Sequence, residues 1–404
     1  MSSMRIFSLI TVVLLLGPLS YEKNAGIAIP KAVCVAISAS GMSAAVTLTA
    51  KNLDLEITDA SGRSNPLSAS LEAERDDCRA VFDSSGNLLA VAVRQSFDAK
   101  QGLKIFIADT RTSRWSANFS VEPQTGLSGP LWLAGFLENS ESLIVKGSGE
   151  KVGAATTSVG TILLDSSGKT LDTKPFERQI AGNPQNQHDQ FADSRNNRLW
   201  YLSYPQFCPI KSTTLTGEES PGPEIDKSPG KADPCDLPNV IAFPDRRTVI
   251  MASTRADHDA VWRIDLGAGT GEEISAPRGR FPKGDQIDGN GSLSPDGQVF
   301  AFSRHQFSYG HFDNFNYKGS DIVVVQVRPL RLLGVIDPKG NLYQHGFAVD
   351  HRDGNTTVLV FSEGTWKRLT VAASKPDGHS AAMDPKTGNL HMQIPVLANT
   401  TLTQ

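Results

Sequence analysis

The chain lacks the Gly-x-Ser-x-Gly elbow, the Walker loop and the His-Glu-x-x-His pair. The exposed nucleophile, phosphate cradle and helical zinc site that those spacings build are therefore unsupported. It has only 4 cysteines in 404 residues and no Cys-x-x-Cys, which removes zinc-ribbon and thioredoxin readings. It has no basic surplus either, and a formal charge of -4 argues against a nucleic-acid partner, whose phosphates demand Lys and Arg. No stretch reaches the ~20 apolar residues of a membrane helix. Beyond the N-terminus no segment repeats with the helical period of 3.6. Aromatics are sparse at 7%, whereas glycine is plentiful at 35 residues, a balance that suits an all-β protein with many tight turns.

The N-terminus reads as a processing signal. Arg5 precedes an apolar run over residues 6–16 that Gly17 and Pro18 close, a length that fits a signal-peptide core. Residues 1–28 are expected to be that leader, with its cleavage position open and an uncleaved anchor as the alternative. The mature protein, residues 29–404, is then expected to be secreted or periplasmic. An oxidising compartment permits disulfides. Cys208 and Cys235 flank a polar, Pro/Gly-rich stretch and would close it as a loop, while Cys34 and Cys78 hold near-equivalent places in two successive units. Four cysteines allow three pairings, of which Cys34–Cys78 with Cys208–Cys235 is the one expected.

What is present is a recurring hairpin. SLSPDGQVFAFSR, residues 292–304, is a short apolar strand, a Ser-Pro-Asp-Gly turn and a second apolar strand. Pro295 presets φ, and Asp296 and Gly297 supply the side-chain bond and positive φ of a reversal. Related runs recur: VCVAISASG with AAVTLTA; CRAVFDSSG with NLLAVAVRQ, LKIFIADTRTSR and WSANFSV; LAGFLENSE with SLIVKGSG and TILLDSSGK; HDQFADSRNN with RLWYLSY; NVIAFPDRR with TVIMAS and AVWRIDL; HGFAVDHRDGN with TTVLVFS and TWKRLTV. Four strands in about 45 residues is the size of one propeller blade. The expectation is an all-β chain forming a single β-propeller of four-stranded antiparallel blades, seven in number with eight as the alternative. A last hairpin, HSAAMDPKTG then LHMQIPV, is expected to close the ring together with the N-terminal strand, which removes an open edge. DPKGN and DHRDGN compete as the turn of the seventh unit, and residues at about 205–237 form a long loop inside the fourth.

SLSPDGQVFAFSR and AVWRIDL resemble the blade motif of TolB-type, WD-repeat-like bacterial propellers, and HGFAVDHRDGN and GHSAAMDPKTGNLHMQIP resemble YVTN-type propellers. The resemblance covers most of the mature chain at the level of repeats and implies the propeller fold. It carries over no catalytic residue, because such families include binding, scaffolding and enzymatic members.

His188, His345 and His379 each stand just before an inner strand, which would gather them near one mouth of a central channel. The sixth unit sends RHQFSYGHFDNFNYKGSD to the same face, adding His305, His311 and Asp313 with Tyr309 and Phe312 among interleaved aromatics. Such a set suits a polar ligand pocket with an aromatic wall, or a packing role. Imidazoles beside a carboxylate also suit a transition metal, but no metal or cofactor is assigned. Asp288, Asn290 and Ser292 alternate like calcium ligands, yet position twelve would be Val299. Arg79, Arg94, Arg304 and Asp285 fall at strand ends that face the channel or pair between blades. The functional expectation is an exported, monomeric binding or scaffold protein that recognises a protein, peptide or envelope glycan through one face. The alternative is a lactonase-like or quinoprotein-like enzyme at the channel mouth.

Overall fold

A computed structural model describes residues 30–95, 102–124, 127, 129–152, 156–179, 190–202, 210–215, 225, 240–254, 259–268, 270–276, 285–309, 315–338, 342 and 346–371. Among them every regular element is a strand, and the strands form seven antiparallel sheets in chain order. Blade 1 holds β1 (Ala32–Ile37), β2 (Ser43–Leu48), β3 (Asn52–Thr58) and β4 (Ser64–Ser70). Blade 2 holds β5 (Asp77–Phe82), β6 (Leu88–Arg94), β7 (Leu103–Asp109) and β8 (Arg114–Val121). Blade 3 follows with β9 (Leu131–Phe136), β10 (Leu143–Val152), β11 (Thr156–Leu164) and β12 (Thr170–Gln179). Blade 4 has β13 (Gln190–Asp193), β14 (Arg198–Leu202) and β15 (Ile210–Thr214). Blade 5 is β16 (Val240–Ala242), β17 (Thr248–Thr254), β18 (Asp259–Asp265) and β19 (Thr270–Ala276). Blade 6 is β20 (Asp285–Leu293), β21 (Val299–Tyr309), β22 (Phe315–Gln326) and β23 (Arg331–Ile336), and blade 7 is β24 (Phe347–Arg352), β25 (Asn355–Ser362) and β26 (Thr365–Val371). The protein is a seven-bladed β-propeller.

The second and third strands of blades 2, 5 and 6 are covered on both faces, so they read as near-continuous apolar runs. In β22, Val323 and Val325 pack toward blade 5 while Ile322 and Val324 pack toward blade 7. In β6, Leu89, Val91 and Val93 meet blade 1, and Ala90 and Ala92 meet blade 3. The result is one apolar cluster for each junction around the ring: blades 1–2, 2–3, 3–4, 4–5, 5–6, 6–7 and 7–1. The last closes the circle. Val35 of β1 packs with Ala348 of β24 and Leu359 of β25, so the first and last blades meet directly. Among the described residues that junction is thin, as is the 3–4 junction. The 7–1 junction buries 3 side chains, against 16 at the 1–2 junction, and at about 1.5–3 kcal/mol per large buried apolar side chain the difference is considerable. The C-terminal hairpin of residues 379–396, expected to share in the closure, lies outside the described residues.

The turns behave as their residues dictate. Between β20 and β21 the Ser294 hydroxyl donates to Asp296 Oδ1 at 2.6 Å and accepts the Val299 N–H at 2.9 Å. Gly297 takes φ +71° and donates its N–H to the Ser294 carbonyl. A Cβ there would lie 2.6 Å from the Pro244 carbonyl oxygen of blade 5, so the glycine also permits two blades to meet. In the seventh unit DHRDGN is the turn, joining β24 to β25. Of the stretch at about 205–237, β15 belongs to blade 4, Leu215 is buried just after it and Ile225 bridges back to Ile210; its other residues are outside the described set.

Cys34 of β1 and Cys78 of β5 form the expected disulfide, with Cα atoms 5.8 Å apart, inside the cluster between blades 1 and 2. The pairing expected of Cys208 with Cys235 lies outside the described residues. Among the described residues no helix is long and apolar enough to cross a membrane. A disulfide and that observation are compatible with an extracellular or periplasmic protein.

Candidate functional site

The seven inner strands enclose a central channel of ≈ 660 Å³, within the size range of small-ligand sites. Apolar side chains form much of its wall, among them Val35, Val81, Phe191, Ile241, Leu293 and Ala348. Its two ends differ in chemistry.

At one end the chain leaves the inner strands through their hairpin turns. Asp83, Glu138, Arg195, Asp245 and Arg246 stand there, and the turns brace one another. Arg246 of blade 5 reaches Glu138 of blade 3 at 3.1 Å, and Arg195 of blade 4 donates to the Pro244 carbonyl of blade 5. Asp245 accepts from Arg328 Nη2 at 2.7 Å. Burial pushes the Asp245 pKa up, but the Arg247 and Thr248 bonds and the Arg328 charge outweigh it, so the carboxyl titrates below its usual range. Asp193, beneath this rim in blade 4, goes the other way. Burial raises its pKa despite bonds from Asn196. His351 Nδ1 meets Asp296 Oδ2 at 2.7 Å, which ties blade 7 to blade 6. Arg352 donates to the Ser38 carbonyl at 3.2 Å and lies over Gly41, which ties blade 7 to blade 1.

At the other end the chain enters the inner strands, and the channel wall turns basic. Arg79 of β5 and Lys146 of β10 line it, whereas every carboxylate lining the channel among the described residues stands at the turn-side mouth. Behind Arg79, Asp77 and Arg94 form an ion pair at 2.7 Å, with side chains only 6% and 11% exposed. The Arg94 guanidinium lies 5.0 Å from the centre of the Trp132 ring and the Lys146 ammonium 6.0 Å from it, so one indole face system serves two cations. Arg79 is half-buried and lines both the channel and a small crevice against Arg94 and Trp132. Burial lowers its pKa, and the Asp77 charge alone counters this.

The sixth blade adds a projection at this end. β21 and β22 run 11 and 12 residues, far beyond the 6 residues of β24 or β23. At about 3.3 Å per residue the three β21 residues past the described β20 ladder, 307–309, extend it by about 10 Å. Their register sets Phe307 opposite Tyr317 and Tyr309 opposite Phe315, with Ser308 opposite Asn316 between them. Because strand faces alternate, the four aromatic positions share one face of this arm and the two polar positions share the other. Within the blade proper, Arg304 pairs with Asp321 at 3.2 Å and is fully buried, and His305 Nδ1 meets Ser320 Oγ at 2.7 Å.

Of the residues singled out in the sequence, His305 is thus engaged with Ser320, and Tyr309 ends β21. His188, His311, His345, His379, Phe312 and Asp313 lie outside the described residues. Among those described, no three His, Cys, Asp or Glu side chains gather as a metal would require. The basic cluster at Asp77, Arg79, Arg94, Trp132 and Lys146 was only half visible. Arg79 and Arg94 stand at strand positions that could face the channel, but nothing in their spacing brings in Trp132 or Lys146 from the next blade.

The chain matches no family model and no curated protein. Among solved structures it is similar to Kuenenia stuttgartiensis hydrazine synthase at 10% identity and a TM-score of 0.47, over 87% of this chain and 99% of that one. It is similar to an acylaminoacyl peptidase in complex with Z-Gly-Gly-Phe-chloromethyl ketone at 10% identity and a TM-score of 0.46, covering 84% of this chain and 51% of the peptidase. TolB from Acinetobacter baumannii is a further neighbour, at 11% identity and a TM-score of 0.37 over 81% and 79% of the two chains. This chain spans about half the length of the peptidase.

Proposed function

We propose that this is an exported, monomeric binding protein that grips a partner protein with the arm of blade 6. Residues 1–28 act as its cleaved leader, and the TolB-type repeat is the lineage its turns suggest. The single observation that supports the reading is the register of β21 and β22, which sets position 307 opposite 317 and 309 opposite 315, so that all four aromatic positions fall on one side of the ladder. Tyr and other large aromatics dominate the energetics of protein interfaces because they bury much area at little conformational cost. A braced ring beneath the arm holds that face in a fixed orientation, which lowers the ordering cost of association.

The test is affinity capture from an envelope extract with the wild type and with Tyr309→Ser/Tyr317→Ser. Capture of a specific protein by the wild type and its loss in the variant supports the reading. Equal capture by both, or recovery of a polysaccharide in place of a protein, overturns it.

A further inference from the structure

We infer that the central channel is a binding site for a small amphipathic anion, a carboxylate or phosphate monoester with an apolar body, with Arg79 of blade 2 as the residue that takes its charged head. This site is separate from the arm of blade 6 and does not depend on the partner proposed for it.

Four observations converge. The Arg79 guanidinium lines the channel, and no group among the described residues accepts a hydrogen bond from it. A guanidinium carries five N–H donors in a planar fork that matches two oxygens of one anion. Its nearest carboxylate, Asp77, is already held by Arg94 at 2.7 Å, so that pair is close to neutral and Arg79 remains as local positive charge. Lys146 adds a second cation on the channel wall, and the lining carboxylates Asp83, Glu138 and Asp245 are all at the opposite mouth. At the depth of Arg79 and Lys146 the described channel lining therefore carries cations and no carboxylate, while the rim mixes both signs.

The size and the walls define the rest of the ligand. A space of ≈ 660 Å³ is too large for an inorganic anion alone. Val81, Ala134, Phe191 and Ile241 supply apolar contact along it, and Trp132 lines an adjoining crevice with Asp77, Arg79 and Arg94. An anion with an apolar tail satisfies both parts, since its head neutralises Arg79 while its tail displaces water from the wall. Phosphate esters and carboxylates share this chemistry, and the probes below separate them.

Calorimetric titration of the full chain with phenylacetate, phenyl phosphate and uncharged phenylacetamide tests the inference. The expected result is saturable binding of at least one charged probe, at least tenfold weaker binding of phenylacetamide, and at least tenfold loss in Arg79→Met. Whichever charged probe binds more tightly identifies the head group. Arg79→Met keeps the stem that packs on the wall and removes a half-buried charge that no protein group accepts among the described residues, so its melting temperature should equal or exceed that of the wild type. A merely structural Arg79 would instead lower it. The inference is overturned if the charged and uncharged probes bind alike, if Arg79→Met binds as the wild type does, or if no probe binds at about 10 mM, weaker than useful ligand affinities. Arg79→Met should still capture the partner of the blade 6 arm, and Tyr309→Ser/Tyr317→Ser should still bind the anion, so each proposal can fail alone.

Discussion

Replacing Cys34 and Cys78 by alanine should cost this ring about 4 kcal/mol. The bridge joins positions 44 residues apart. In the chain-entropy account a cross-link that closes about 44 residues removes roughly 13 cal/mol/K from the unfolded ensemble, or about 4 kcal/mol at 25 °C. Both sulfurs are buried, at 0% and 3% exposure, between Val46, Leu55, Val91 and their neighbours, so the variant also loses a little packing volume. Urea unfolding followed by tryptophan fluorescence reads the effect. With a denaturant slope of about 4 kcal/mol/M for a chain of this size, the midpoint should fall by about 1 M. Cys34→Ala alone already opens the loop, so the double variant should lose little more than the single. Unchanged midpoints, or single variants whose losses add to twice the expected value, would refute the claim that one cross-link between blades 1 and 2 restrains the unfolded chain.

Three further outcomes follow from the turn-side rim. Gly297→Ala forces a side chain into φ +71° and within 2.6 Å of the Pro244 carbonyl, and should lower stability by about 2–4 kcal/mol in the same urea assay. Gly41→Ala should displace the Arg352 guanidinium, whose Nη1 would lie 1.5 Å from the new Cβ, and loosen the thin junction of blades 7 and 1. In an Arg352→Ala background the same change should cost about 1 kcal/mol less, and a strictly additive double-mutant cycle would contradict the contact. Burial pushes the Asp296 pKa up, but bonds from Ser294, His351 and Gln298 outweigh it, so the carboxyl titrates below its usual range. The stability it contributes is fully present above about pH 4 and is lost as pH falls through the folded pKa, so Asp296→Asn should destabilise at about pH 6 and not at about pH 2. Chemical denaturation across that range checks it.

The architecture was legible wherever both faces of a strand are buried. Runs such as TVIMAS and DIVVVQV can only be middle strands of packed blades, and the Asp-Gly turns between them mark the period. Outer strands carry no such signal. β4, SNPLSAS, has Pro66 within it and mostly exposed side chains, and it is held as the rim of blade 1 by pairing with β3 and by the Trp115 indole bond to the Ser68 carbonyl. β19, TGEEISA, is similarly polar and pairs only on its β18 side. An edge strand that must discourage further pairing is polar by necessity, so pattern reading loses it. The aromatic segment of the sixth unit was legible as a candidate, but its order was not. Alternation of Phe307, Tyr309, Phe315 and Tyr317 becomes a shared face only once the bulge between Gln306 and Phe307 sets the register. The channel cluster needed the fold itself, because Asp77 and Arg94 are neighbours across one ladder while Trp132 and Lys146 come from the next blade.

The arm of blade 6 is best tested by where a partner touches the ring. A photo-crosslinking amino acid at position 309 on the arm, and at position 112 in the β7–β8 turn of blade 2, can each be activated in an envelope extract. The account predicts a discrete protein adduct from position 309 and none from position 112. Equal adducts from both, or an adduct from position 112 alone, would contradict it.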